Sequence, residues 1–219
     1  MQKIEKIKII LLYFFLIAGG LWHILNVFQS IMSVLAGPLL IGLSIWLLGE
    51  VIQINRSKII SKYYQWAAIV IVVSFITETI GVKTGIIFGV YSYGPVLWPQ
   101  LAGVPIAIGF AWLLMLISSI ALMQRLPVIN RSNIRTQILI IAALMTFFDF
   151  MMEPAAIKLN YWSWQNGTVP IQNYAAWFII SLLLLIPGRQ MKVLEVKYPV
   201  LVMHAFFAQL IYFIMIMFK

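Results

Sequence analysis

Seven apolar runs, each near the roughly 20 residues a helix needs to cross the hydrocarbon of a bilayer, dominate this chain: 9–28, 34–54, 64–82, 103–123, 135–156, 173–188 and 199–218. No soluble architecture absorbs that many such runs in 219 residues. The chain is 63% hydrophobic and 10% charged, against roughly 45–50% and about 25% in a soluble domain. Lipid must therefore be the solvent for much of its surface. The expected fold is all-α: one polytopic membrane domain over 1–219, a helical bundle of about seven spans.

Charge orients the runs. Lys3, Lys6 and Lys8 precede the first; Arg56, Lys58 and Lys62 separate the second and third. Arg125, Arg131 and Arg135 lie between the fourth and fifth, and Arg189, Lys192 and Lys197 between the sixth and seventh. The intervening connections carry only Lys83 and Lys158, and the end Lys219. By the positive-inside rule the N-terminus is cytoplasmic and the C-terminus external, in the cytoplasmic membrane of a prokaryote. The net charge of +9 is thus a topology signal, and no nucleic-acid partner is expected. Ala18-Gly19-Gly20 after a basic start has the look of a leader peptide, but the apolar run continues past it, so a retained first helix is expected.

Two external connections, 83–102 and 157–172, are too aromatic for plain solvated loops, and the Gly and Pro residues of the first argue against helix. Non-helical backbone at membrane depth must be covered by protein or line a cavity; interfacial Tyr and Trp also serve simply as anchors. The two share a spacing. Tyr91 lies thirteen residues after Glu78 and Trp162 thirteen after Asp149 (91 − 78 and 162 − 149), each opening an aromatic-x-aromatic pair, Tyr91-Ser92-Tyr93 and Trp162-Ser163-Trp164. Val104-Pro105 and Val169-Pro170 follow, then Trp112 and Trp177, each seven residues after its proline (112 − 105 and 177 − 170). This pattern predicts an internal repeat, 64–123 and 135–188, about an axis along the membrane normal. Glu78 and Asp149 are then equivalent positions facing each other across it.

Of six acidic residues, Glu5, Glu50 and Glu195 fall toward the cytoplasmic side and are expected to be solvated. Glu78, Asp149 and Glu153 sit inside apolar runs near their external ends. A carboxylate at the centre of a membrane helix costs about 2.5–3.5 kcal/mol on insertion scales and is a functional candidate by default. Asp149 and Glu153, four residues apart, share a helical face. Two close carboxylates repel when both are ionised; a neutral acid can donate a proton while an ionised neighbour orients water. The structural alternative is pairing with Lys83 and Lys158, or helix capping. His23 and His204 lack metal-ligand spacing and read as interhelical hydrogen-bond formers, as do Asn26, Gln29, Asn173 and Gln209. No metal site is expected. The chain has no cysteine, no nucleotide-binding loop, no aspartate-rich diphosphate motif, and no lysine within the seventh run for a retinal Schiff base.

The run from Glu78 through Gly81, Gly85, Phe88, Gly89, Tyr91 and Tyr93 resembles the carotenoid biosynthesis protein family. So do Gly103-Val104-Pro105-Ile106, Asp149 with Glu153-Pro154-Ala155, Tyr161-Trp162-Ser163-Trp164, and Asn173-Tyr174 with Trp177. The family includes membrane carotenoid 1,2-hydratases and bisanhydrobacterioruberin hydratase, and the resemblance spans about residues 65–180. It implies cofactor-independent addition of water to the terminal C1=C2 double bond of an acyclic carotenoid such as lycopene or γ-carotene. On that basis Glu78, Asp149 and Glu153 form the acid/base set, with the donor open. Tyr91, Tyr93, Trp98, Trp162, Trp164, Asn173, Tyr174 and Trp177 form the substrate-binding set, with the rings of Tyr91, Tyr93, Trp162 and Trp164 caging a carbocation and Asn173 helping to hold water. Two rivals stand beside it: a carotenoid end-group cyclase, which differs only in what captures the cation, and a small proton-coupled transporter built around the embedded acids.

Overall fold

The computed structural model describes residues 3–55 and 59–219; Arg56 and Lys58, used above to orient the chain, lie outside the described residues. Seven long helices follow in order: α1 (Lys3–Ile24), α2 (Gln29–Ile54), α3 (Ile59–Thr84), α4 (Ala107–Met123), α6 (Ile134–Lys158), α7 (Ile171–Gln190) and α8 (Val200–Met217), with a short α5 (Pro127–Asn130) before α6. Six of the seven are long and apolar enough to cross a membrane; α4, at 17 residues, is the shorter one. Burial explains its composition. A helix apolar all round belongs inside, and α4 is buried on nearly every side, against α2, α3, α6 and α8. α1 lies along α8, and α6 along both α7 and α8.

The connections that carry Lys and Arg meet at one end of the bundle. Gln124 Nε2 donates to the Leu194 and Val196 carbonyls and Arg125 to that of Tyr198. Asn55 Nδ2 donates to the Lys197 carbonyl, and the Val200 amide to Glu5. Glu50 is not simply solvated: Lys8 Nζ reaches it at 2.6 Å and Trp46 Nε1 at 3.0 Å. Burial of the α1/α2 contact requires that partner, since a half-buried carboxylate without one is costly. Both histidines are interhelical hydrogen-bond formers, His23 with Gln29 (3.3 Å) and His204 with Tyr13 (3.0 Å).

The opposite end is not purely helical. β1 (Tyr91–Tyr93) pairs antiparallel with β4 (Trp162–Trp164), and β2 (Gln100–Leu101) with β3 (Val104–Pro105). In the first ladder Ser92 faces Ser163, flanked by Tyr91 opposite Trp164 and Tyr93 opposite Trp162. A three-residue strand has no periodicity long enough to announce itself, so these ladders depend on the bundle bringing the two connections together. Gly94 permits the approach: its amide donates to the Tyr161 carbonyl at 2.8 Å, and a Cβ there would collide with the Asn160 carbonyl oxygen. The residues equated by spacing also meet deeper in the bundle, where the Trp112 and Trp177 rings stack 4.0 Å apart at 16°.

Candidate functional site

Beneath the β1/β4 ladder lies a cavity of about 80 Å³. One water needs roughly 10–15 Å³ by this measure. The space therefore takes a small branched group and a water, and nothing much larger. Its floor and walls are apolar, from Leu97, Ile108, Met115, Phe148, Met152 and Phe213. Glu78, Asp149 and Glu153 all line it, at 4%, 1% and 2% exposure. Three carboxyl groups from two helices thus converge, buried, on one small space.

Their partners differ. Glu78, near the end of α3, is held by three donors: Tyr91 and Tyr93 hydroxyls on Oε2, the latter at 2.9 Å, and Trp112 Nε1 on Oε1 at 3.0 Å. Burial first, then the Glu78 charge, pushes the Tyr91 phenol far above its ordinary value, keeping it a donor. Glu153 Oε2 accepts from Trp162 Nε1 (2.9 Å) and Trp164 Nε1 (3.0 Å). Asn173 Nδ2, at the start of α7, donates to Asp149 Oδ2 at 2.7 Å and reaches Glu153 Oε1 at 3.4 Å. Asp149 Oδ1 has no hydrogen bond among the described residues. Neither Lys83 nor Lys158 pairs with any of the three; Lys158 Nζ instead donates to the Met217 carbonyl.

The alternation of β1 and β4 places these donors. Both Tyr91 and Tyr93 stand on the Glu78 side and both Trp162 and Trp164 on the Glu153 side, while Ser92 and Ser163 point away. Facing rings then close the roof, Tyr91 against Trp164 at 5.0 Å and Tyr93 against Trp162 at 5.9 Å. The spacing makes Trp162 the counterpart of Tyr91, but where Tyr91 bonds Glu78, Trp162 bonds Glu153, one turn beyond Asp149 along α6.

Of the binding residues expected from sequence, Tyr91, Tyr93, Trp162, Trp164, Asn173 and Trp177 line the cavity. Trp98 does not; it is 66% exposed. Tyr174 also lies off the cavity, against the Phe150 ring at 5.5 Å. Trp112 and Gln209 line it although neither stood in the expected site. The signal for Trp112 was its repeat equivalence with Trp177; for Gln209, an amide in the middle of an apolar run. Among the described residues no group of three His, Cys, Asp or Glu is arranged to hold a metal ion.

A family described as "Carotenoid biosynthesis protein" matches residues 28–218, well beyond the segment that carried the sequence resemblance. Bisanhydrobacterioruberin hydratase of Haloarcula japonica is 27% identical over 110 residues, 48% of this chain and 38% of that protein. The chain therefore aligns with well under half of that relative's length. No solved structure matches.

Proposed function

The chain belongs to the carotenoid biosynthesis protein family, and we propose that within it this protein is a hydratase acting on an acyclic carotenoid end group. Water adds across the terminal C1=C2 bond to give a tertiary alcohol. The observation that carries this is the unequal hydrogen bonding of three buried carboxyl groups around one apolar, aromatic-roofed cavity. An anion in low dielectric needs donors, and Glu78 has three while Glu153 has two indoles and a share of Asn173. Asp149 has one donor and a bare oxygen, the arrangement suited to a carboxylic acid whose O–H faces substrate.

The steps balance without an added reagent. Asp149 gives its proton to C2, leaving a tertiary cation at C1. The Tyr91, Tyr93, Trp162 and Trp164 rings stabilise it through their quadrupoles, and the Glu78 charge through space. A water oxygen bonds to C1, and its surplus proton returns to the Asp149 carboxylate. Asn173 holds that carboxylate throughout. No cofactor enters these steps. The substrate class is lycopene-like or γ-carotene-like, reached from lipid, with the site in the external half of a cytoplasmic membrane and the N-terminus inside. The Ser92/Ser163 and Trp112/Trp177 pairings support a duplicated pair of hairpins behind it.

The relative's name favours hydration over cyclisation; the apolar walls keep cyclisation as the second reading. Expression in a lycopene-producing bacterium, with pigments separated and weighed by mass spectrometry, tests both. A product heavier by one water per reacted end supports hydration. A product of unchanged mass with a ring end group sinks it, and an unchanged pigment profile with the protein in the membrane excludes lycopene as substrate.

A further inference from the structure

Gln209 sits on α8 between the apolar Phe206, Phe207 and Ala208 and the apolar Leu210 and Ile211, and is 6% exposed. A polar side chain at such a depth is expensive unless used. Its Nε2 donates back to the Ala205 carbonyl at 3.0 Å and lies 3.6 Å from Met115 Sδ. Because a carbonyl only accepts, the amide nitrogen must face Ala205, and the orientation of the amide is set. Oε1 is left with no hydrogen bond among the described residues, on a residue that lines the cavity.

The packing of α8 on α6 puts this amide level with Asp149. Phe148, the neighbour of Asp149, meets Phe206 at 5.4 Å and Phe213 at 6.0 Å. Those two residues flank Gln209 on the same face of α8, three before and four after it. The cavity thus has two acceptors without partners, Asp149 Oδ1 and Gln209 Oε1, contributed by facing helices.

Resting on the hydratase reading above, we propose that Gln209 is the positioning residue for the attacking water and so decides the fate of the cation. Water donating one hydrogen to Oε1 presents a lone pair into the cavity. The cation at C1 has two exits. It bonds to that water, whose proton then goes to the Asp149 carboxylate, or it loses a proton from an adjacent carbon to the same carboxylate and returns an alkene. Only the first needs Gln209.

Purified wild type and Q209L, Q209M and Q209E variants incubated with lycopene in D₂O separate these exits. Wild type forms hydrate carrying deuterium at C2. In Q209L and in Q209M, the closer match in length, hydrate falls at least tenfold while deuterium still enters recovered carotenoid. The ratio of exchange to hydration rises at least tenfold, and Q209E, which keeps an acceptor, restores hydrate. Hydration within threefold of wild type in Q209L or Q209M overturns the assignment, as does equal loss of hydrate and exchange. A wild type that neither hydrates nor exchanges lycopene or, in a parallel incubation, γ-carotene overturns the hydratase reading itself, and this assignment with it.

Discussion

Replacing Asp149 by Asn removes the proposed proton and almost nothing else. The side chain keeps its shape, and its carbonyl oxygen still accepts from Asn173, now at 2.7 Å from Asp149 Oδ2. The incoming NH₂ takes the place of Oδ1, which has no partner to lose, so stability should change by about 1 kcal/mol or less, the scale of one net hydrogen bond. Activity should fall far more. A positioned general acid contributes about 10²–10⁴ in rate, or roughly 2.7–5.4 kcal/mol of barrier at 1.36 kcal/mol per tenfold. Asp149→Leu is the structural contrast: it removes the 2.7 Å partner of the buried Asn173 amide and leaves it only the 3.4 Å contact to Glu153, which costs about 1–3 kcal/mol of stability. Initial rates of hydrate formation in membranes, normalised to protein, are read beside melting in detergent. Loss of activity in D149N with an unshifted melt is expected. D149N hydrating within threefold of wild type would refute the reasoning, since the one carboxyl with a bare oxygen would then be dispensable.

Glu78→Gln should fold, because the tyrosine hydroxyls can turn to accept from the new amide while the indole of Trp112 still donates to its oxygen. Removing the charge that faces the cation should lower the hydration rate about 10²–10³-fold, the scale of losing one electrostatic stabiliser. Glu78→Leu strands the buried Tyr91 and Trp112 donors at about 1–3 kcal/mol each, and the half-buried Tyr93 hydroxyl besides, against a total stability of about 5–15 kcal/mol; its membrane level on immunoblots should collapse. Trp112→Phe keeps a ring against Trp177 but removes the 3.0 Å bond to Glu78, so the hydration rate should drop about tenfold; an unaffected rate would show that this bond does not orient Glu78. Gly94→Ala drives a Cβ into the Asn160 carbonyl and should cost about 1–3 kcal/mol, read as a lower melting temperature together with reduced hydration, because the ladder carries the roof.

The helical framework could be read in advance because its cause is local. A run of apolar residues in lipid must close its own backbone hydrogen bonds, whatever lies beside it. The run 135–156 became Ile134–Lys158 and 199–218 became Val200–Met217 for that reason. The same logic singled out Glu78, Asp149 and Glu153, since a carboxylate is conspicuous wherever its surroundings are apolar. Which donor serves which carboxylate had no such local cause. Trp162 and Trp164 bond Glu153, and Asn173 reaches back from α7 to Asp149, because of how α6 is rotated and how β1 registers with β4. Those are consequences of packing among residues far apart in the chain. The outward Trp98 and the inward Gln209 make the same point from opposite sides: identity told that each was amphipathic, and only the helix and loop orientations decided which one meets the cavity. Composition and order along the chain therefore determined the membrane helices and the acids they carry; the tertiary structure alone decided that the acids share one cavity and that Asp149 keeps an oxygen free within it.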